Sequence, residues 1–230
     1  MNIADSFKHV LRNRSQSLFT EFWNEDVKAV LKDSPAELLR MFKSGAGQVK
    51  SFKRKAIKST FSEVYDSTQD MVTIFKVIPA RVKEGFSHFK EDLVHELENQ
   101  ADAKHKTIFC LKVLAALGSF SLAAIYNVKR GTGDFAFNGL KRKNAFTQFL
   151  VHELVFKLSQ VFILRFLSEV EQQVSDPEEL SHIRFFKGLI ADKEKLQEEA
   201  HRLNKELEPG DRAVELVEEL KNYIFTGKRA

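Results

Sequence analysis

Residues 107–126 read TIFCLKVLAALGSFSLAAIY, twenty positions with a single charge, Lys112. A run of about 20 apolar residues is long enough to cross a bilayer as a helix. It equally suits the central helix of a bundle, apolar all round because neighbours surround it. In favour of a span, Lys104 and Lys106 on one side and Lys129 and Arg130 on the other sit at headgroup level, and Lys112, near the start, can snorkel. The trailing flank is the more basic, with Lys141, Arg142 and Lys143 close behind, which places the following loop in the cytoplasm. In favour of a bundle, Ala115, Ser119 and Ala123 recur every fourth residue, a small-residue seam that allows close helix packing, although such seams also occur inside membranes.

The next apolar stretch weighs for the bundle. Residues 144–174 are rich in Phe, Leu and Val but carry His152, Glu153, Lys157 and Arg165. Charges there would each cost about 2–3 kcal/mol at membrane depth. The stretch is a poor span and a good bundle partner, and a bundle can also open and insert such a hairpin. The apolar segment is carried by Phe109, Leu111, Leu114, Leu117, Phe120, Leu122 and Ile125.

Outward from this hairpin the chain reads at helical period almost throughout. Residues 3–32 place Phe7, Val10, Leu11, Leu18, Phe22, Val27 and Leu31 on apolar turns. Asp33-Ser34-Pro35 stops and restarts a helix, Ser34 capping and Glu37 three residues on. That short helix ends at Gly45-Ala46-Gly47, and a long one follows over 48–78. Pro79 opens another, over 80–104, with Val82, Phe86, Phe89, Leu93 and Leu97 as its stripe. The one loop rich in glycine, 131–139, precedes the helix over 144–174, where Glu153 and Lys157 pair in the favourable order. Ser175-Asp176-Pro177 opens a charged helix to about residue 207. Pro209-Gly210 ends it, and Asp211 caps a last amphipathic helix with Val214, Leu216, Val217, Leu220 and Ile224. The expectation is an all-α bundle of about eight or nine helices around a central apolar helical hairpin. It divides into basic amphipathic helices over 1–105, the hairpin over 106–174 and a charged helical hairpin over 175–230, read as one continuous domain.

Composition agrees. The 230 residues contain 10 Gly and 4 Pro, too few for many short strands joined by tight turns, and 21 Phe against 3 Tyr and 1 Trp. Nine of the Phe residues fall between 109 and 166, where they fill one core or face lipid. The single cysteine, Cys110, excludes an intramolecular disulfide framework and any four-cysteine zinc site. The opening residues lack an apolar core of signal-peptide length, so a cytoplasmic location is expected, with membrane association allowed. Net charge runs from +6 over residues 1–90 through +2 over 91–144 to −4 over 145–230. This gradient is compatible with an anionic surface meeting the N-terminal half.

Few residues suggest chemistry. Lys50, Lys53, Arg54 and Lys58 share one helical face, while Phe52 and Ile57 point elsewhere. Such a cationic amphipathic helix can lie on anionic lipid or track phosphates; alternatively it is a solvated basic face. Lipid is preferred over nucleic acid, because no nucleic-acid module is readable and the chain is rich in Phe. His88, Asp92 and His95 lie along one helix face and allow a local metal site, although all three come from one helix and surface stripes of this kind are common. Glu179 with His182, and Glu198 with His201, repeat a carboxylate–imidazole spacing used by di-iron bundles. On one continuous helix they lie roughly 28 Å apart and cannot share an ion. The pentapeptide Leu-Val-His-Glu-Leu occurs at 93–97 and 150–154, each copy lacking the second histidine of the zinc-protease motif. Cys110 is expected to be an inert, desolvated thiol. Leu189, Leu196 and Leu203 allow self-association or a bundle-facing stripe. The resulting expectation is a non-enzymatic, cofactor-free helical protein that meets an anionic membrane surface. The alternative is a soluble bundle that holds an apolar ligand or a partner helix.

Overall fold

Apolar spacing at helical period continues for 25 residues from Ile3, and the chain forms one helical run there, α1 (residues 3–27), that is not uniform. In the computed structural model, which describes residues 1–30, 32, 73–130, 145–192, 195, 196, 198, 199, 202 and 210–229, α-helical pieces Ile3–His9 and Ser15–Glu21 alternate with π turns Val10–Arg14 and Phe22–Val27. A π turn takes up an extra residue and shifts the phase of the helix beyond it. After Phe7 and Leu11 the plain helical spacing would turn Arg14 inward. The first π turn instead leaves Arg14 outside, bonded to Glu169 at 3.2 Å, and buries Ser15.

Five more helices have defined bounds: α2 (Ile78–Asn99), α3 (Ala103–Arg130), α4 (Ala145–Gln173), α5 (Pro177–Ala191) and α6 (Arg212–Thr226). No strand occurs among the described residues, so the fold is all-α. Side chains at 73, 119–130, 145–150, 152 and 153 lie outside the description. The caps form where the sequence places them. Asp176 accepts from the amides of Glu178 and Glu179, both at 3.0 Å, and Asp211 from that of Ala213 at 3.0 Å. At the far end of α6, Gly227 takes φ +72°, a left-handed cap that only glycine adopts freely.

The expected count of eight or nine helices is corrected to six with defined bounds among the described residues. The expected helix after Pro35 lies outside the described residues, as does all but the end of the one over 48–78. The expected continuous helix over 177–207 is broken at Asp192, whose backbone is extended (φ −109°, ψ 104°). Asp192 then accepts the amide of Lys195 at 3.2 Å and restarts the helix. From α4, Gln160 donates to the carbonyl of Ile190 at 2.7 Å, covering an acceptor that the break leaves open. The helix expected over 80–104 ends at Asn99, because Gln100 is extended and Asp102 caps α3 through the amide of His105 at 2.9 Å.

α3 packs against α1, α4, α5 and α6, while α2 packs against α4 and α6. Buried side chains from all six helices form one cluster, and the stripe Val82, Phe86, Phe89, Leu93 and Leu97 lies in it as the spacing requires. Ion pairs tie the elements at the surface. Glu171 of α4 accepts from Arg184 at 2.8 Å and Lys187 at 2.7 Å of α5. These two cations, Arg184 first, hold its carboxyl below the usual range. Glu98 of α2 joins Lys8 at 3.0 Å and Arg12 of α1.

Gly85 on α2 packs directly against α6. A Cβ there would lie 3.1 Å from Ile224 Cγ1 and Leu220 Cδ1 of α6. Gly188, in α5, would meet nothing within 4 Å. Urea denaturation should therefore separate two substitutions of the same kind. Gly85→Val is expected to destabilise by about 1–3 kcal/mol through overpacking. Gly188→Ala is expected to stabilise by about 0.5–1 kcal/mol through helix propensity.

Candidate functional site

The apolar segment is enclosed through the part whose side chains are described. Phe109, Cys110 and every residue from Val113 to Gly118 are buried, and Leu111 is half-buried. Successive helical residues are turned by about 100°, so six consecutive buried positions cover the whole circumference. Among the segment's described side chains only Ile108 is an exposed large apolar one, at 42%. Among the described residues no helix is long and apolar enough to cross a membrane. Of the seven residues singled out, Phe109, Leu114 and Leu117 are core, Leu111 packs on its edge, and Phe120, Leu122 and Ile125 lie outside the described side chains.

Lys112 is the segment's one charge, and it does not need a headgroup. Its ammonium donates to Asp211, the residue that caps α6. One carboxylate therefore fixes the start of α6 and neutralises the charge on α3. Glu179 also serves as a joint. Its two oxygens accept the amide of Ile3 at 2.7 Å and the hydroxyl of Thr107 at 3.0 Å, so the first turn of α5 holds the starts of α1 and α3. Met1 and Ser175 exchange hydrogen bonds beside it. Burial, and secondarily Glu179, push the thiol of Cys110 above its ordinary range, which leaves it un-ionised and unreactive.

The metal-like residues do not converge. His88 places its ring edge-on to Tyr223, with centroids 5.1 Å apart, and its Nδ1 is buried without a hydrogen-bond partner. Asp92 pairs with Arg229 at 3.1 Å, and His95 contacts Asn99 at 3.1 Å. Among the described residues no three His, Cys, Asp or Glu side chains group as metal ligands. Glu179 is occupied by Ile3 and Thr107, and His201 lies outside the described residues, as do Lys50, Lys53, Arg54 and Lys58. Leu189 and Leu196 are buried in this chain's own core, the bundle-facing alternative of their reading, and Leu203 lies outside the described residues.

Two features are not located by the sequence reading. The first is Arg165 of α4, whose three nitrogens meet Asp26 at 2.7 Å, Glu21 at 2.7 Å and Glu25 at 2.8 Å. The second π turn of α1 brings these carboxylates to one guanidinium, and Asp26 contributes most to raising its pKa. The second feature is a small groove between α1, α2, α3 and α4, about 30 Å³ in volume. Its lining is almost wholly apolar, with Phe7, Phe19, Phe86, Phe89, Phe162 and Phe166 supplying the rings. Phe86 and Phe162 lie 4.4 Å apart, Phe7 meets Phe166 edge-on at 5.0 Å, and Phe19 stacks on Phe162 at 4.9 Å. Ser15 and Lys90 are its only polar lining, and Lys90 Nζ lies 3.4 Å from Ser15 Oγ. The density of Phe signalled such a site, but locating it needed the phase shift in α1.

No family model, no curated protein and no solved structure matches this chain.

The two roles of Asp211 separate by substitution. Asp211→Ala removes cap and ion pair together and is expected to cost about 1–2 kcal/mol. Asp211→Asn keeps a capping acceptor and Lys112→Met removes only the cation. Each is expected to cost under about 1 kcal/mol, since the Lys112 side chain is 41% exposed. Equal losses for all three variants in thermal denaturation would contradict the dual role.

Proposed function

We propose that the chain is a non-enzymatic helical bundle that attaches to an anionic membrane surface from one side, with its apolar segment serving as core. The observation that carries this reading is the burial of the segment through Gly118 together with the pairing of Lys112 to Asp211. Through Gly118 the described part of the segment is enclosed by its neighbours, which leaves the cationic face of Lys50, Lys53, Arg54 and Lys58 as the part of the chain suited to contact a bilayer. Basic residues at an anionic leaflet contribute about 1 kcal/mol each, which suits reversible attachment. A cytoplasmic protein that visits the inner surface of a membrane fits this picture, and nucleic acid has no comparable support.

A second reading is supported by the groove among the Phe rings: a soluble bundle that takes an apolar ligand or a partner helix. At about 30 Å³ the groove holds no more than a small group unless its rings move.

Flotation on vesicles tests the first reading. The full chain should rise with vesicles of phosphatidylcholine and phosphatidylglycerol and stay at the bottom with phosphatidylcholine alone. Reversing Lys50, Lys53, Arg54 and Lys58 to Glu should weaken binding by about 100-fold or more. A chain that ignores both vesicle types, or that binds equally after the reversal, contradicts surface attachment.

A further inference from the structure

Lys90 stands apart from the other cations around it. Lys8, Arg12 and Arg14 on the neighbouring α1 each meet a carboxylate. Lys90 meets only Ser15 Oγ, at 3.4 Å, and among the described residues no carboxylate lies within ion-pair distance of it. Its half-buried side chain lines a groove that is otherwise apolar except for Ser15. An ammonium at the edge of an aromatic groove, beside a hydroxyl and without a counter-charge, complements a ligand with an anionic head and an apolar tail.

We propose that this groove binds a single-chain anionic amphiphile, a fatty-acid carboxylate, with its head on Lys90 and Ser15 and its chain among the Phe rings. The proposal rests on the second reading above and names its ligand. The present groove seats only about one methylene group, so the chain enters by displacing a ring. Phe19 is that ring. It is half-buried, stacks on Phe162 with an interplanar angle of 20°, and rides on Ser15–Glu21, an α-helical piece of 7 residues bounded by π turns on both sides. Ser15 opens the same piece, so a movement that withdraws Phe19 also brings its hydroxyl to the ligand's head.

The test uses 11-(dansylamino)undecanoate as fluorescent probe on the full chain without vesicles, with decanoate and 1-decanol as competitors. Saturable binding of one probe per chain is expected. Decanoate should displace it at least about tenfold better than 1-decanol, the preference expected of a charge-assisted hydrogen bond. Lys90→Met should remove that preference while leaving 1-decanol unaffected. Phe19→Ala should tighten decanoate by opening the groove, and far-UV circular dichroism and melting confirm that each variant is folded. If 1-decanol competes as well as decanoate, or Lys90→Met changes nothing, the anionic head is overturned while the apolar-ligand reading stands. If neither competitor nor probe binds, both fall. Tightening by Phe19→Ala supports the gate, and unchanged affinity overturns it.

Discussion

Every other part of this structure depends on the need to cover one helix on all sides. From Val113 to Gly118 no face of α3 is polar enough to meet water, and the hydrophobic cost of leaving it exposed is about 25 cal/mol for each Å² of apolar surface. Covering it takes α1, α4, α5 and α6, and several long-range polar contacts position those four. Asp211 sets α6 against Lys112, Glu179 sets α5 against the starts of α1 and α3, and Arg165 anchors the second π turn of α1 to α4. These polar contacts lie at the edges of the core. Each adds modestly to stability, and together they fix which helix lies where.

The π turns in α1 follow from the same demand. A uniform α-helix would bring Arg14 toward the aromatic core and turn Asp26, five residues after Glu21, off the face that Glu21 shares with Glu25. Two inserted turns put Arg14 on Glu169 and gather three carboxylates on Arg165. They also leave the short piece Ser15–Glu21 facing the Phe-lined groove. The irregularity in the backbone and this groove in the core therefore have a common origin.

Helix identity and core-facing stripes were legible in the sequence because they depend on nearest neighbours. The stripe from Val82 to Leu97, the caps at Asp176 and Asp211, and the proline start at Pro177 are local signals, and the chain obeys them; at Pro79 the expected break is absent, because a π turn over Thr73–Val77 runs straight into α2 with Val77 helical. The partners of Lys112, Glu179 and Arg165 lie 72 to 176 residues away, and no local pattern announces them. Lys112 looked like a snorkelling charge for that reason, and Glu179 like a metal ligand beside His182. The break at Asp192 carries one local mark, Asp192 itself as the acceptor for the amide of Lys195, and the helical period across it is otherwise uninterrupted. Across the break, Gln160 of α4 donates to the carbonyl of Ile190, a tertiary contact that the local sequence does not announce.

The enclosure of α3 is tested most directly by Cys110, the only thiol in the chain, at 0% exposure on that helix. In detergent-free buffer, labelling of native protein by a maleimide should proceed only through unfolding, about a thousand-fold or more slower than in denaturing urea. Labelling of the native chain at a rate near that in urea would contradict the account, because it would mean that the apolar segment is open to solvent.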